Sequence, residues 1–234
     1  MTDKVDEAIA ALEDYLRRYP SGHFVELAQV RLDALLARRG EKKIAIAFDR
    51  ANPYTKGTVQ SDLNYRVGDT YELRLGDLYT GLDRPVRRTI TAVTDLEVVY
   101  DDGLITDLIG NTTRQPNGER QADAQHFPAE YHVGKRWSSR HKTFGRGGPD
   151  EVSLDWTIVA REPLDTPAGT FEAFRVEASG FAFRGGRRVF RYWAAPDRVR
   201  RFLVFEVRRW DTRGAPGPSE RNVLVSFREA SRTP

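Results

Sequence analysis

Apolar residues recur at helical spacing from near the start of the chain, at Val5, Ile9, Leu12 and Leu16, with Ala8 and Tyr15 widening the stripe. Pro20 stops this helix. Ser21 can cap a second one whose apolar face reads Phe24, Leu27, Ala28, Leu32 and Leu35, closing at Gly40 after Arg38 and Arg39 in the last turn. The spacing predicts a helical hairpin over residues 1–40. Two short amphipathic helices cannot bury both stripes on each other, so the spare face is expected to dock on the rest of the chain or on another protein.

After Gly40 the apolar period becomes two, the mark of strands with one buried face. Ile44, Ile46 and Phe48 alternate with Lys43, Ala45 and Ala47; a polar stretch from Asp49 to Gly68 then reads as a linker or a loop around one short strand. Further strands are expected at Tyr71 to Leu75, Val86 to Thr94 and Leu96 to Tyr100. The last of these turns through Asp101-Asp102-Gly103 into Leu104 to Leu108. Gly110 to Gln125 reads as a long polar loop. A meander follows: Tyr131 to Phe144, Val152 to Arg161, Phe171 to Ala178, Phe181 to Arg184, Arg187 to Trp193, Val199 to Trp210 and Asn222 to Phe227. About ten short antiparallel strands with Gly and Pro turns predict an α+β, mainly β chain. Its sheet is expected to be curved, as a half-barrel, a clam-like shell or a sandwich, over residues 41–234.

The strand ending at Trp210 is apolar on both sides, with Leu203, Phe205 and Val207 opposite Phe202 and Val204, so it must be covered twice. One cover is expected from the helices and the other from the inside of the curved sheet.

Composition narrows the chemistry. Among 234 residues there is no Cys, which removes disulfides, thiolate nucleophiles and Cys-based metal sites. The 37 basic and 34 acidic side chains leave a net charge of only +3, too little for a whole-surface pull on nucleic acid or membrane. No apolar run is long enough to cross a membrane as a helix. Met1-Thr2-Asp3-Lys4 leads into the amphipathic helix rather than a signal peptide. A native start at Met1 would place the chain in the cytoplasm, and a removed export signal in the periplasm.

Two stretches resemble known families. Ala8 to Leu36 (AIAALEDYLRRYPSGHFVELAQVRLDALL) is similar to the tetratricopeptide-type helix pair with Tyr-Pro at the turn, which implies a scaffolding role. Pro128 to Trp137 (PAEYHVGKRW), Thr166 to Glu177 (TPAGTFEAFRVE) and Tyr192 to Glu206 (YWAAPDRVRRFLVFE) together resemble the bacterial domain-of-unknown-function family 3108 and its look-alikes. That resemblance implies a curved antiparallel sheet related in shape to lipoprotein carriers, and no catalytic residues. Its members are often exported. Read for themselves, Thr166-Pro167-Ala168-Gly169-Thr170 and Ala195-Pro196-Asp197 are turns that set strand register.

Candidate catalytic chemistry is thin. His126, Glu130 and His132 lie close together, but their spacing matches no established metal motif, and no metal or cofactor is expected. They would be the centre of a hydrolase if one existed. Ser138-Ser139 near His141 lacks the G-x-S-x-G elbow, and neighbours on a strand alternate faces. Gly145-Arg146-Gly147-Gly148 lacks the Lys-Ser/Thr ending of a phosphate loop.

Charge is the most uneven feature. From Arg184 to Trp210 the cations Arg184, Arg187, Arg188, Arg191, Arg198, Arg200, Arg201, Arg208 and Arg209 face only Asp197 and Glu206, interleaved with aromatics. Arginine with exposed rings can hold single-stranded nucleic acid. The acidic run Asp95, Glu97, Asp101, Asp102 and Asp107 offers those guanidiniums partners within the chain, which argues against nucleic acid. The expected function is a non-enzymatic ligand-binding or protein-interaction module, its concave face drawn from Trp137, Trp156, Phe171, Phe174, Tyr192, Trp193 and Phe205 and its ligand apolar or amphipathic. The alternative is an Arg-rich surface, drawn from Arg184, Arg187, Arg188, Arg191, Arg200 and Arg201, for nucleic acid or an acidic protein.

Overall fold

The computed structural model describes residues 2–18, 25–38, 58–122, 124–145 and 148–230, and the chain divides into two compact units, 1–56 and 57–234. The first unit holds α1 (Thr2–Arg18) and α2 (Val25–Arg38), which pack on one another with Ile9, Ala28 and Leu32 buried. Leu12, Leu16 and Leu35 are half-buried. The expected cap at Ser21, Pro20, the Phe24 end of the stripe, Gly40 and the strand Ile44 to Phe48 lie outside the described residues.

The second unit is all strand. In chain order these are β1 (Val59–Gln60), β2 (Thr70–Asp77), β3 (Asp83–Val93), β4 (Glu97–Tyr100), β5 (Ile105–Asp107), β6 (Thr112–Arg114) and β7 (Arg120–Ala122). There follow β8 (Glu130–Tyr131), β9 (Arg136–Gly145), β10 (Gly148–Thr166), β11 (Gly169–Ala182), β12 (Gly186–Ala194), β13 (Val204–Arg209) and β14 (Glu220–Arg228). β1 and β8 form a separate two-stranded sheet. The other twelve form a closed antiparallel barrel, which overturns the expected half-barrel, clam or sandwich.

Closure comes from the stretch that reads as a loop. β6 and β7 are three residues each, Thr-Thr-Arg and Arg-Gln-Ala, too short and too hydrophilic to show a period of two. They are turned by Gln115 to Glu119, where the Gln115 N–H donates to the Glu119 carbonyl at 2.7 Å and Gly118 takes a φ of 85°. β6 pairs with β5 on one side, β7 with β9 on the other, and β9 with β10, so the sheet meets itself. Two further expected boundaries shift. Phe171 to Ala178 runs on without a break through Phe181 to Ala182 as one strand, β11, with Phe183 and Arg184 in the turn that follows, and Tyr131 to Phe144 is broken by a turn at Gly134 into β8 and β9.

On β10, Val152, Leu154, Trp156 and Ile158 are buried while Ser153 and Asp155 between them are exposed. Apolar inside and polar outside is the inverse of a membrane-spanning barrel. Two apolar clusters fill the unit. One centres on Trp156, Ile158, Phe174, Val176 and Tyr192, the other on Tyr71, Leu73, Ile90, Tyr100, Leu203 and Leu224. β11 serves both, with Phe174 and Val176 in the first and Ala173 in the second, as a strand apolar on both faces requires.

Candidate functional site

Of the aromatic residues expected to line a concave ligand site, Trp137, Trp156, Phe174, Tyr192 and Phe205 pack into one apolar cluster, and the chain itself occupies the space before them. The segment Ala124 to Pro128 lies against the inward faces of β9, β10 and β12. The His126 ring packs on Trp156 at 5.2 Å, His141 at 4.9 Å and Phe190 at 5.6 Å, and Phe127 packs on Tyr192 at 4.8 Å. Its backbone is satisfied by side chains. Asn111 accepts the N–H groups of His126 and Phe127 on one oxygen, each at 2.7 Å, while the Trp137 indole donates to the Gln125 carbonyl at 2.9 Å. Asn111 is in turn held by Asp107, which accepts its backbone N–H at 2.8 Å and its side-chain amide at 3.1 Å. Burial raises the Asp107 carboxyl above the ordinary range, and the bonds from Asn111 and Ile109 oppose that.

Trp156, Phe174 and Tyr192 are therefore core residues, at most 1% exposed. Trp137 stacks on Trp156 with ring centres 5.7 Å apart, and Phe205 bridges Tyr192 and Phe202. Phe171 and Trp193 join the other cluster, Trp193 donating to Glu162 at 2.9 Å. The pool does not converge on one surface.

The metal candidates are separated by burial. His126 is 8% exposed in the core, where burial first and the neighbouring His141 second push its pKa down to about 3, so the ring is neutral. Glu130 accepts from the Gln60 amide at 3.1 Å, and the His132 Nδ1 lies 3.3 Å from the Val133 carbonyl. Among the described residues no cluster of three His, Asp or Glu side chains could hold a metal ion. Ser139 accepts from the Trp156 indole at 2.9 Å, and Ser138, on the opposite face, donates to Asp155.

Several arginines of the basic stretch have intramolecular partners, though mainly not the expected ones. Arg191 pairs with Glu177 at 3.1 Å and Arg209 with Glu220 at 2.8 Å. Arg200, its side chain 5% exposed, reaches Asp62 at 2.7 Å, Asp69 at 3.1 Å and Glu229 at 3.3 Å. Burial alone would raise Asp62, but the Asn64 N–H and the Arg200 guanidinium hold it below the ordinary carboxylate range. Of the acidic run, Asp102 pairs with Arg88, and Asp101 and Asp107 accept backbone N–H groups. Arg187 lies over Trp210 at 5.4 Å, and Arg188 donates to the carbonyls of Gly185, Arg187 and Trp210.

An opening exists at the mouth of the barrel near Ala194. A crevice of about 30 Å³ is walled by Tyr65, Phe127, Tyr131, Val199, Arg201 and Phe202, with Ser61, Asp62 and Ile109 at its rim. That is room for about two waters in the closed part. It shares Asp62, Tyr65 and Arg200 with an open polar groove of about 480 Å³, lined also by Asn64, Arg66 and Glu229. Arg201 stands out here. Its guanidinium lies 5.4 Å from the Tyr100 ring and 5.1 Å from the Phe202 ring, and no carboxylate among the described residues pairs with it. Its Nε is buried without an acceptor among those residues. Sequence reasoning named Arg201 only as part of a basic patch and missed Tyr65, Phe127 and Tyr131. The signal for Phe127 was an apolar residue beside His126 at the end of an otherwise polar loop.

No family model matches the chain, and no curated protein matches it. Solved structures show a similar chain trace. A candidate exported protein with YmcC-like fold from Bacteroides fragilis is 12% identical with a TM-score of 0.48, covering 73% of this chain and 100% of that one. A candidate lipoprotein from Parabacteroides distasonis is 15% identical with a TM-score of 0.42, over 70% and 96%. The hypothetical lipoprotein YmcC from Escherichia coli is 12% identical with a TM-score of 0.41, over 72% and 88%.

Proposed function

We propose that this chain is a non-enzymatic binding module that takes a small amphipathic molecule at the barrel mouth rather than inside the barrel. The observation that carries the reading is Arg201, a cation faced by two aromatic rings and by no carboxylate among the described residues, on the wall of an apolar crevice. A guanidinium over rings keeps its hydrogen-bonding fork available for a planar anion, which a carboxylate fits bidentately. The carboxylate would meet Arg201 from the open side, and the apolar end would lie over the mouth of the crevice at Tyr65, Tyr131, Val199 and Phe202, because the closed part of about 30 Å³ is too small to take it whole. Inside the barrel, Gln125 to Phe127 already pack on Trp137, Trp156 and Tyr192.

Calorimetric titration with octanoate and with octylammonium tests this. Saturable octanoate binding is expected, weakened about tenfold or more in Arg201→Met, since a hydrogen bond to a charged group contributes about 1.5–3 kcal/mol. Preference for octylammonium, or binding untouched by Arg201→Met and by a bulky Ser61→Phe at the rim, would overturn it.

A further inference from the structure

At the end of β12 away from the crevice, two neighbouring hairpins present bare phenylalanines. Phe144 ends β9, Phe181 lies near the end of β11, and Phe183 sits in the β11–β12 turn; they are 46%, 65% and 87% exposed. The two tips are tied together. β10 pairs with both β9 and β11, the Phe183 N–H donates to the Glu151 carbonyl at 2.8 Å, and the Arg184 N–H donates to Asp150 at 2.9 Å. A side chain that is pure hydrocarbon gains nothing from water, and three of them exposed near the ends of two adjoining hairpins make an apolar tip.

Cations surround the tip. Arg120 is the register partner of Phe144, Arg187 is the partner of Phe181, and Lys142 is two residues before Phe144 on the same face of β9; all three are exposed, as is Arg184. The acids nearby are Glu119, Asp150, Glu151 and Asp211, the last accepting the Arg213 and Ala215 N–H groups beside the β11–β12 turn. Asp150 accepts the N–H groups of Glu151 and Arg184, and Glu151 is paired with Arg140. Ser153 stands directly beside Phe181, and behind it the outward wall is polar at Ser138, Asp155 and Ser179.

We infer that this rim docks peripherally on an anionic lipid bilayer, the phenylalanines entering the boundary between headgroups and acyl chains and the basic ring facing the headgroups. Charge complementarity selects an anionic surface, and shape selects a bilayer. Protruding rings on two separate turns need a deformable apolar layer, whereas stacked bases need a flat platform. The polar wall at Ser138, Asp155 and Ser179 limits entry to the tip.

Co-sedimentation of the full chain with vesicles provides the test. Partition into mixed phosphatidylglycerol and phosphatidylcholine vesicles is expected to exceed that into phosphatidylcholine alone by about tenfold, from a few basic residues near the surface. Phe181→Ser with Phe183→Ser should lower binding to both vesicle types. Lys142→Glu with Arg187→Glu should lower only the anionic preference. These positions are exposed, so circular dichroism should show each variant folded. Three outcomes would each overturn the inference: no anionic preference, vesicle binding unchanged by the Phe substitutions, or a dimer or single-stranded DNA complex that the same Phe substitutions abolish while vesicles are ignored. Failure of octanoate binding at Arg201 would leave this result unaffected, since crevice and rim lie at opposite ends of β12.

Discussion

The Tyr192 hydroxyl donates to the carbonyl oxygen of His126 at 3.0 Å, fastening the middle of β12 to a segment that lies 66 residues earlier in the chain. The bond makes the barrel interior a structural element of the chain itself. With Asn111 holding the N–H side of the same segment, both edges of the His126–Phe127 backbone are satisfied by side chains from the wall. A buried backbone without such partners would cost free energy comparable to the lost bonds, so the wall and the segment specify each other.

Removing these two anchors should cost different amounts. Tyr192→Phe deletes one donor to a buried carbonyl and is expected to destabilise the barrel by about 1–2 kcal/mol. Asn111→Ala orphans two buried N–H groups and loosens Asp107, and should cost about 3 kcal/mol or more. Urea unfolding of the two variants measures the difference. Equal and negligible effects would mean that the segment is not held in the way the distances indicate.

Acid should weaken the fold through His126. Its pKa is about 3 in the folded chain against an ordinary 6.5, so between those values the unfolded state binds the extra proton. The contribution of neutral His126 is complete above about pH 6.5 and is lost as pH falls, by up to about 1.4 kcal/mol per pH unit, or about 2.7 kcal/mol by pH 4.5. Asp107 acts oppositely, because its raised pKa favours the fold as it takes up a proton, from its folded pKa down to the unfolded value of 3.8. Unfolding as a function of pH should therefore be steeper in the native chain than in His126→Leu. Parallel curves would count against a buried neutral ring.

Much of the architecture was legible where one face of a strand is buried. Tyr71, Leu73 and Leu75 on β2 and Val152 to Ile158 on β10 announce themselves by alternation, and Asp101-Asp102-Gly103 by its turn chemistry, Gly103 taking a φ of 84°. Closure was not legible, because β6 and β7 are short polar strands whose pairing is fixed by β5 and β9 rather than by any pattern of their own. The candidate site was misread for a related reason. Trp156 and Tyr192 have the composition of a ligand wall, but periodicity cannot say whether a cavity is filled from within the chain. His126, grouped with His132 by nearness in sequence, is carried inward, its N–H and that of Phe127 meeting Asn111.

Arg200 should prove structural rather than part of a nucleic-acid surface. Its side chain is 5% exposed and Asp69 beside it 1%, so Arg200→Met leaves the buried Asp69 carboxylate without its cation. Breaking a buried pair from one side costs about 3–5 kcal/mol. Adding Asp69→Asn to Arg200→Met should recover part of that loss, though Asp69 also accepts the Arg66 and Ala230 N–H groups at 3.0 and 2.8 Å. A melting temperature unchanged in Arg200→Met would remove the ion cluster from the account of how the mouth is built.

Gly180 tests the continuity of β11. By composition Ser179-Gly180 looks like a break between two strands, yet the residue pairs in register with Leu154 inside one strand. A glycine within a strand can instead mark a close approach of backbone. A Cβ added at Gly180 would stand 1.9 Å from the Ser153 carbonyl oxygen and 3.0 Å from the Leu154 Cα, and neither is the end of a flexible side chain. Gly180→Ala must push β11 away from β10 where the Trp156 cluster is densest, and is expected to cost about 4 kcal/mol or more, with poor soluble yield. Gly81→Ala supplies the contrast. Gly81 has a φ of 71° with nothing within 4 Å of an added Cβ, so its cost is only the left-handed backbone, about 1–2 kcal/mol. Thermal unfolding of both variants separates steric approach from backbone conformation. A Gly180→Ala chain as stable as Gly81→Ala would show that the two strands can part at Ser153 without loss, and that β11 is two strands after all.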